Sequence, residues 1–95
     1  MITGINHIGI AVRDLEASME LFGKIFAVPS FHRETVADQK VEVASFSVGD
    51  VLIELTAPTA PDSPIAAFLD KRGEGIHHIA FGSDDVNSEL QRMSA

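Results

Sequence analysis

Residues 73–81 read GEGIHHIAF. Two adjacent histidines, His77 and His78, sit in an otherwise apolar run just after a glycine-rich break, where a strand that only had to be buried would carry Val or Ile. A stretch near the start of the chain, GINHIGIAVRDL at residues 4–15, is built the same way. Laid over GIHHIAFGSDDV, residues 75–86, it matches at Gly4/Gly75, Ile5/Ile76, His7/His78, Ile8/Ile79 and Asp14/Asp85, every pair 71 residues apart. Gly9/Ala80, Ile10/Phe81 and Leu15/Val86 are close in character. A repeat of this kind reads as two copies of one supersecondary unit, and it makes His78, not His77, the counterpart of His7. Strand alternation then places His77 on the opposite face with Ile79 and Phe81.

Working outward, INHIGIAV (residues 5–12) is a β-branched strand with Ile8, Ile10 and Val12 on one face and His7, Gly9 and Ala11 on the other. Asp14 is an N-cap for the helix LEASMELFGKIF, whose apolar stripe is Leu15, Met19, Phe22, Ile25 and Phe26, and Pro29 ends it. A strand around SFHRETV precedes KVEVASFSV and VLIEL, which Gly49-Asp50 joins as a tight hairpin. After the extended APTAPDSP, Ser63 and Pro64 start a short helix, PIAAFLDKR, stopped at Gly73. GIHHIAFG is the next strand, and DDVNSELQRM begins another helix with an apolar side of Val86, Leu90 and Met93. The order is βαβββ, a linking helix, then βα. The expected layout is a first βαβββ module over residues 1–58, a linker with its short helix over 59–74, and the start of a second module over 75–95.

Composition narrows the function. Ninety-five residues with 45% hydrophobic content make one small domain with a modest core. No apolar run approaches the ~18 residues that span a bilayer, and no basic segment followed by an apolar block opens the chain, so the expectation is a cytoplasmic protein without a membrane partner. The absence of cysteine removes disulfides and thiolate metal sites. A formal charge of -7 with seven scattered basic residues argues against a nucleic-acid surface.

A lone strand histidine is most often an ordinary hydrogen-bonded residue. Two histidines at equivalent places in a repeat are different, because an approximate two-fold brings the equivalent strands together and lets His7 and His78 converge, with the small residues Gly9 and Ala80 clearing space. Such a pair begins a divalent metal site that carboxylates or water complete. Glu54 is the best carboxylate: it lies within the apolar strand VLIELTAP, sharing a face with Leu52 and Thr56, where an unpaired buried charge would cost several kcal/mol. An edge-strand glutamate facing solvent is the plain alternative. A two-residue hairpin sets residue 45 across from Glu54, so Val41, Val43 and Ser45 share its face and Glu42 points away.

The strand histidines, the strand glutamate and the duplicated arrangement resemble the vicinal oxygen chelate superfamily of glyoxalases, extradiol dioxygenases, antibiotic-resistance proteins and methylmalonyl-CoA epimerases. INHIGIAVRDLEAS, VGDVLIELTAPTAPDSPIAAFL and KRGEGIHHIAF are most similar to the epimerases, over nearly the whole chain. The resemblance implies an α+β fold of paired βαβββ modules, the second truncated after its first strand and helix. It implies one divalent ion (cobalt, manganese, nickel or zinc) held by His7, Glu54 and His78, with Glu54 also a candidate base. The implied reaction interconverts the C2 epimers of methylmalonyl-CoA through a metal-stabilised enolate, with acid and base groups on both faces. Glyoxalase chemistry, iron(II) dioxygenase chemistry, and ligand binding without catalysis are the alternatives. A fourth ligand would fall at about position 125, beyond Ala95, by the same repeat offset. Arg13, Lys24, Lys40 and Lys71 are candidates for the phosphates of the acyl-CoA substrate. The sheet edge at GIHHIAFG and the apolar side of the last helix favour a homodimer.

Overall fold

The computed structural model describes residues 2–83. Their elements are strand β1 (Ile2–Ala11), helix α1 (Leu15–Phe26), β2 (His32–Val36), a 3-10 turn (Ala37–Gln39), β3 (Val41–Val48), β4 (Val51–Pro58), helix α2 (Pro64–Arg72) and β5 (Gly75–Ser83). The expected helix over DDVNSELQRM, with Val86, Leu90 and Met93, lies outside the described residues.

Both helices start where their caps dictate. Asp14 has extended backbone, and its Oδ1 accepts from the Ala17 N–H at 3.1 Å. The Ser63 hydroxyl accepts from the Ile65 N–H at 3.2 Å and donates to the Gln39 carbonyl, with Pro64 in the first turn. The α2 stop is glycine: Gly73, at φ 75, donates its N–H to the Leu69 carbonyl. The end of α1 differs from expectation. Pro29 does not break the helix; Ala27 turns left-handed at φ 56 and its N–H returns to the Gly23 carbonyl, so the chain has left the helix before the proline.

The sheet runs β2-β3-β4-β1-β5, with β1 parallel to β4 and antiparallel to β5. Gly49, at φ +59, takes the first corner of the β3–β4 hairpin, so Val48 pairs with Val51 and Ser45 lies across from Glu54. Alternation splits the side chains between two faces. One is the main core, where Val12, Ala44, Phe46, Ile53, Leu55 and Ala57 close on Leu15, Met19 and Phe22 of α1. The other face has a smaller core at one end, Ala11 and Val41 against Ile65 and Leu69 of α2. Among the described residues, no helix packs on the rest of that second face. Ile25 does not join the α1 stripe: it is 62% exposed, because it lies about 100° around the helix from Phe26, whose ring still reaches Phe46 at 5.4 Å. Among the described residues no helix is long and apolar enough to cross a membrane.

The repeat takes physical form between β1 and β5. Ile8 pairs directly with its equivalent Ile79, His7 lies across from Ala80, and Gly9 lies across from His78. The two strands are therefore related by a local two-fold through the Ile8–Ile79 pair.

The two faces predict unequal costs. Leu55 is fully buried at the centre of the main core, so Leu55→Ala should lose about 2–5 kcal/mol in denaturant unfolding. Ile25→Ala should stay within about 0.5 kcal/mol of the parent; a large loss there would place Ile25 in the core after all.

Candidate metal centre

Gly9 is the pivot of the second face. The parallel β4 places Glu54 beside it, and the antiparallel β5 places His78 on its other side. His7 stands two residues earlier on the same strand and face. His7 Nε2 is 3.2 Å from His78 Nε2 and 3.5 Å from Glu54 Oε1, and the donor atoms of all three residues lie within 4.8 Å of one another. The lack of a side chain at Gly9 is what lets the His78 ring lie there. A Cβ would stand 2.2 Å from its Cε1 and 2.6 Å from its Nδ1, far inside van der Waals contact. The backbone of Gly9 is not in the left-handed region, so the requirement is for space alone.

The donor chemistry fits a divalent ion. Two nitrogens about 2.0–2.1 Å from one ion at a near-tetrahedral angle stand about 3.4 Å apart, close to the 3.2 Å between the imidazoles. His7 Nδ1 lies 2.8 Å from Asn6 Oδ1, an oxygen that only accepts, so the hydrogen of His7 is on Nδ1 and its Nε2 keeps a free lone pair. Burial, then the neighbouring His77 and His7 imidazoles, lower the His78 pKa below the ordinary histidine value, against an opposing pull from Glu54. The neutral form, the one that can ligate, is thereby favoured.

Below the cluster opens a cavity of about 210 Å³, lined by Gln39, Val41, Val43, Glu54, Thr56, Pro64, Ile65, His77 and His78. Val41, Val43, Pro64 and Ile65 give it apolar walls, with Gln39 and Thr56 as further polar residues beside Glu54 and the two histidines. Glu42 is absent from it: on the α1 side of the sheet it pairs with Arg33, which also reaches Glu16 at 2.7 Å.

His77 corrects strict alternation. Gly9 pairs with His78 but Ile10 pairs with Ile76, which leaves His77 as an extra residue in a β-bulge. The bulge turns its ring onto the site face, edge-on to Phe68 at 4.9 Å. A bulge leaves no composition signal in so apolar a strand, and neither Phe68 nor Gln39 carried a periodicity that would have marked it. The four basic candidates do not gather at the cavity. Arg13 donates to the Leu69 carbonyl at 3.1 Å, Lys24 is on α1 behind the sheet beside Glu20, Lys40 pairs with Asp62, and Lys71 lies in the last turn of α2.

The profile of the Glyoxalase/Bleomycin resistance protein/Dioxygenase superfamily matches residues 6–95. The chain is 41% identical over 90 residues to the uncharacterized protein YqjC of Bacillus subtilis, covering 95% of this chain and 64% of that protein. It is 34% identical over 90 residues to the mitochondrial methylmalonyl-CoA epimerase of Homo sapiens, covering 94% of this chain and 51% of that protein. It thus spans about half to two-thirds of the length of these curated relatives. Among solved structures, a variant methylmalonyl-CoA epimerase of Streptomyces coelicolor in complex with 2-nitronate-propionyl-CoA superposes with a TM-score of 0.80 at 36% identity, over 99% of this chain and 69% of that one.

Gly9→Ala tests the pivot. The added methyl must displace the His78 ring, so zinc affinity by calorimetry should fall at least about 100-fold, more than loss of a typical supporting group, while the far-UV circular dichroism is kept. Unchanged affinity would show that His78 takes no part in ion binding.

Proposed function

We propose, because this chain belongs to the Glyoxalase/Bleomycin resistance protein/Dioxygenase superfamily, that it binds one divalent ion through His7, Glu54 and His78 and epimerises the C2 centre of methylmalonyl-CoA. The observation that carries this is the convergence of two imidazole nitrogens and a carboxylate beside a cavity with apolar walls. The similarity to methylmalonyl-CoA epimerases, at 34–36% identity, supports the substrate class. Two imidazoles and a carboxylate suit cobalt, manganese, nickel or zinc.

The geometry supports a role for each residue. A divalent ion bound there supplies positive charge for the thioester oxygen on which negative charge develops as the C2 proton leaves. His7 and His78 offer ring nitrogens from adjacent strands, 3.2 Å apart in the β1–β5 register. Val41, Val43 and Ile65 form an apolar wall suited to a short acyl branch. Glu54 joins the donor set and is the candidate base for one face of the planar intermediate. Inversion requires that the proton return to C2 from the other face, so a second acid–base group must stand opposite.

Deuterium exchange decides the assignment. In heavy water the protein should wash the C2 proton of methylmalonyl-CoA out of the substrate, stop on chelation, and recover with added cobalt. His7→Ala and His78→Ala should each lower exchange at least about 100-fold. Exchange with lactoylglutathione and none with the CoA ester would assign a glyoxalase. Oxygen uptake with iron(II) and a catechol would assign a dioxygenase, and ligand binding without exchange a binding module.

A further inference from the structure

The bulge at His77 has a twin. Along β1, Ile5 pairs with Phe81 and His7 with Ala80, which leaves Asn6 as the extra residue on that strand, as His77 is on β5. Asn6 and His77 are 71 residues apart, the spacing of the repeat. Each immediately precedes one of the two converging histidines. A bulge turns a side chain that alternation would send to the far face. Each of these two is turned against the Nδ1 of the histidine that follows: Asn6 Oδ1 at 2.8 Å from His7 Nδ1, and His77 Nδ1 at 2.9 Å from His78 Nδ1.

We infer that Asn6 and His77 are positioning residues that hold the hydrogens of His7 and His78 on Nδ1 and so present both Nε2 lone pairs to the site. A neutral imidazole carries one N–H, and whichever nitrogen bears it cannot ligate. In His78 the two ring nitrogens face different partners, Nδ1 toward His77 and Nε2 toward His7. With an ion between the two Nε2 atoms both must offer lone pairs, so His78 then donates from Nδ1 to the Nδ1 lone pair of His77, whose own hydrogen sits on Nε2. The His77 ring is steadied by the edge contact with Phe68, on a helix that Ile65 and Leu69 anchor to the sheet. Ligating histidines depend on such a partner for orientation and tautomer. Here the same backbone device supplies it twice, with an amide in one copy and an imidazole in the other. The inference rests on the reading of the three residues as a metal site.

Nitrogen-15 imidazole spectra of the zinc-loaded protein at about pH 8, where histidines are neutral, should show His77 with its hydrogen on Nε2 and its Nδ1 accepting. Thermal unfolding of metal-free His77→Phe, which keeps a ring beside Phe68 but removes the acceptor, and of His77→Asn, which copies position 6, should match the parent, since only one acceptor is exchanged. Zinc calorimetry should show affinity about 10–100-fold weaker in His77→Phe and recovered in His77→Asn. Unchanged zinc affinity in His77→Phe, or a His77 hydrogen on Nδ1 in the zinc-loaded parent, overturns the inference and leaves the metal reading standing. A parent that binds no zinc overturns both.

Discussion

The register between β1 and β5 is the constraint on which everything else rests. Ile8 faces Ile79, and that single pairing sets His7 across from Ala80 and His78 across from Gly9. A slip of one residue along either strand would turn His78 to the opposite face and leave Glu54 and His7 without it. Two small residues make the register usable, since side chains directly opposite in an antiparallel pair are only about 4.5–5.5 Å apart. At Gly9 the margin is gone entirely: the imidazole occupies the volume a methyl group would need.

The two faces of the sheet divide stability from chemistry. On the α1 side, phenylalanines and aliphatic residues fill the space around Leu55, and burial there supplies the main favourable term of folding. On the other side, among the described residues, α2 covers one end, and Glu54 and His78 line a cavity beside Val41 and Val43. Among the described residues, His7 and Glu54 are each about one-quarter exposed.

The bulges reconcile two demands placed on one strand. Regular pairing is needed to hold β1 and β5 together, while each converging histidine also needs a polar neighbour on its own face. Strict alternation forbids adjacent residues from sharing a face, and an extra residue relaxes that rule at one point without ending the ladder. That both strands carry the bulge at equivalent positions follows from the local two-fold, under which a distortion that suits one copy suits the other.

Much of this was legible in the chain. The 71-residue repeat, the two caps, the Gly49-Asp50 hairpin and the alternating apolar pattern led to the α+β sheet, to the pairing of Ser45 with Glu54, and to His7, Glu54 and His78 on one face, because each is a local or periodic signal that survives in one dimension. The superfamily was legible for the same reason, in runs of residues that the repeat and its linker hold contiguous. The stop of α1 at Ala27, the exposure of Ile25 and the turning of Asn6 and His77 were not. Those depend on how one strand slides against another and on which helix flank meets the sheet, and such choices are made by packing across distant parts of the chain, where no residue's own preference decides the outcome.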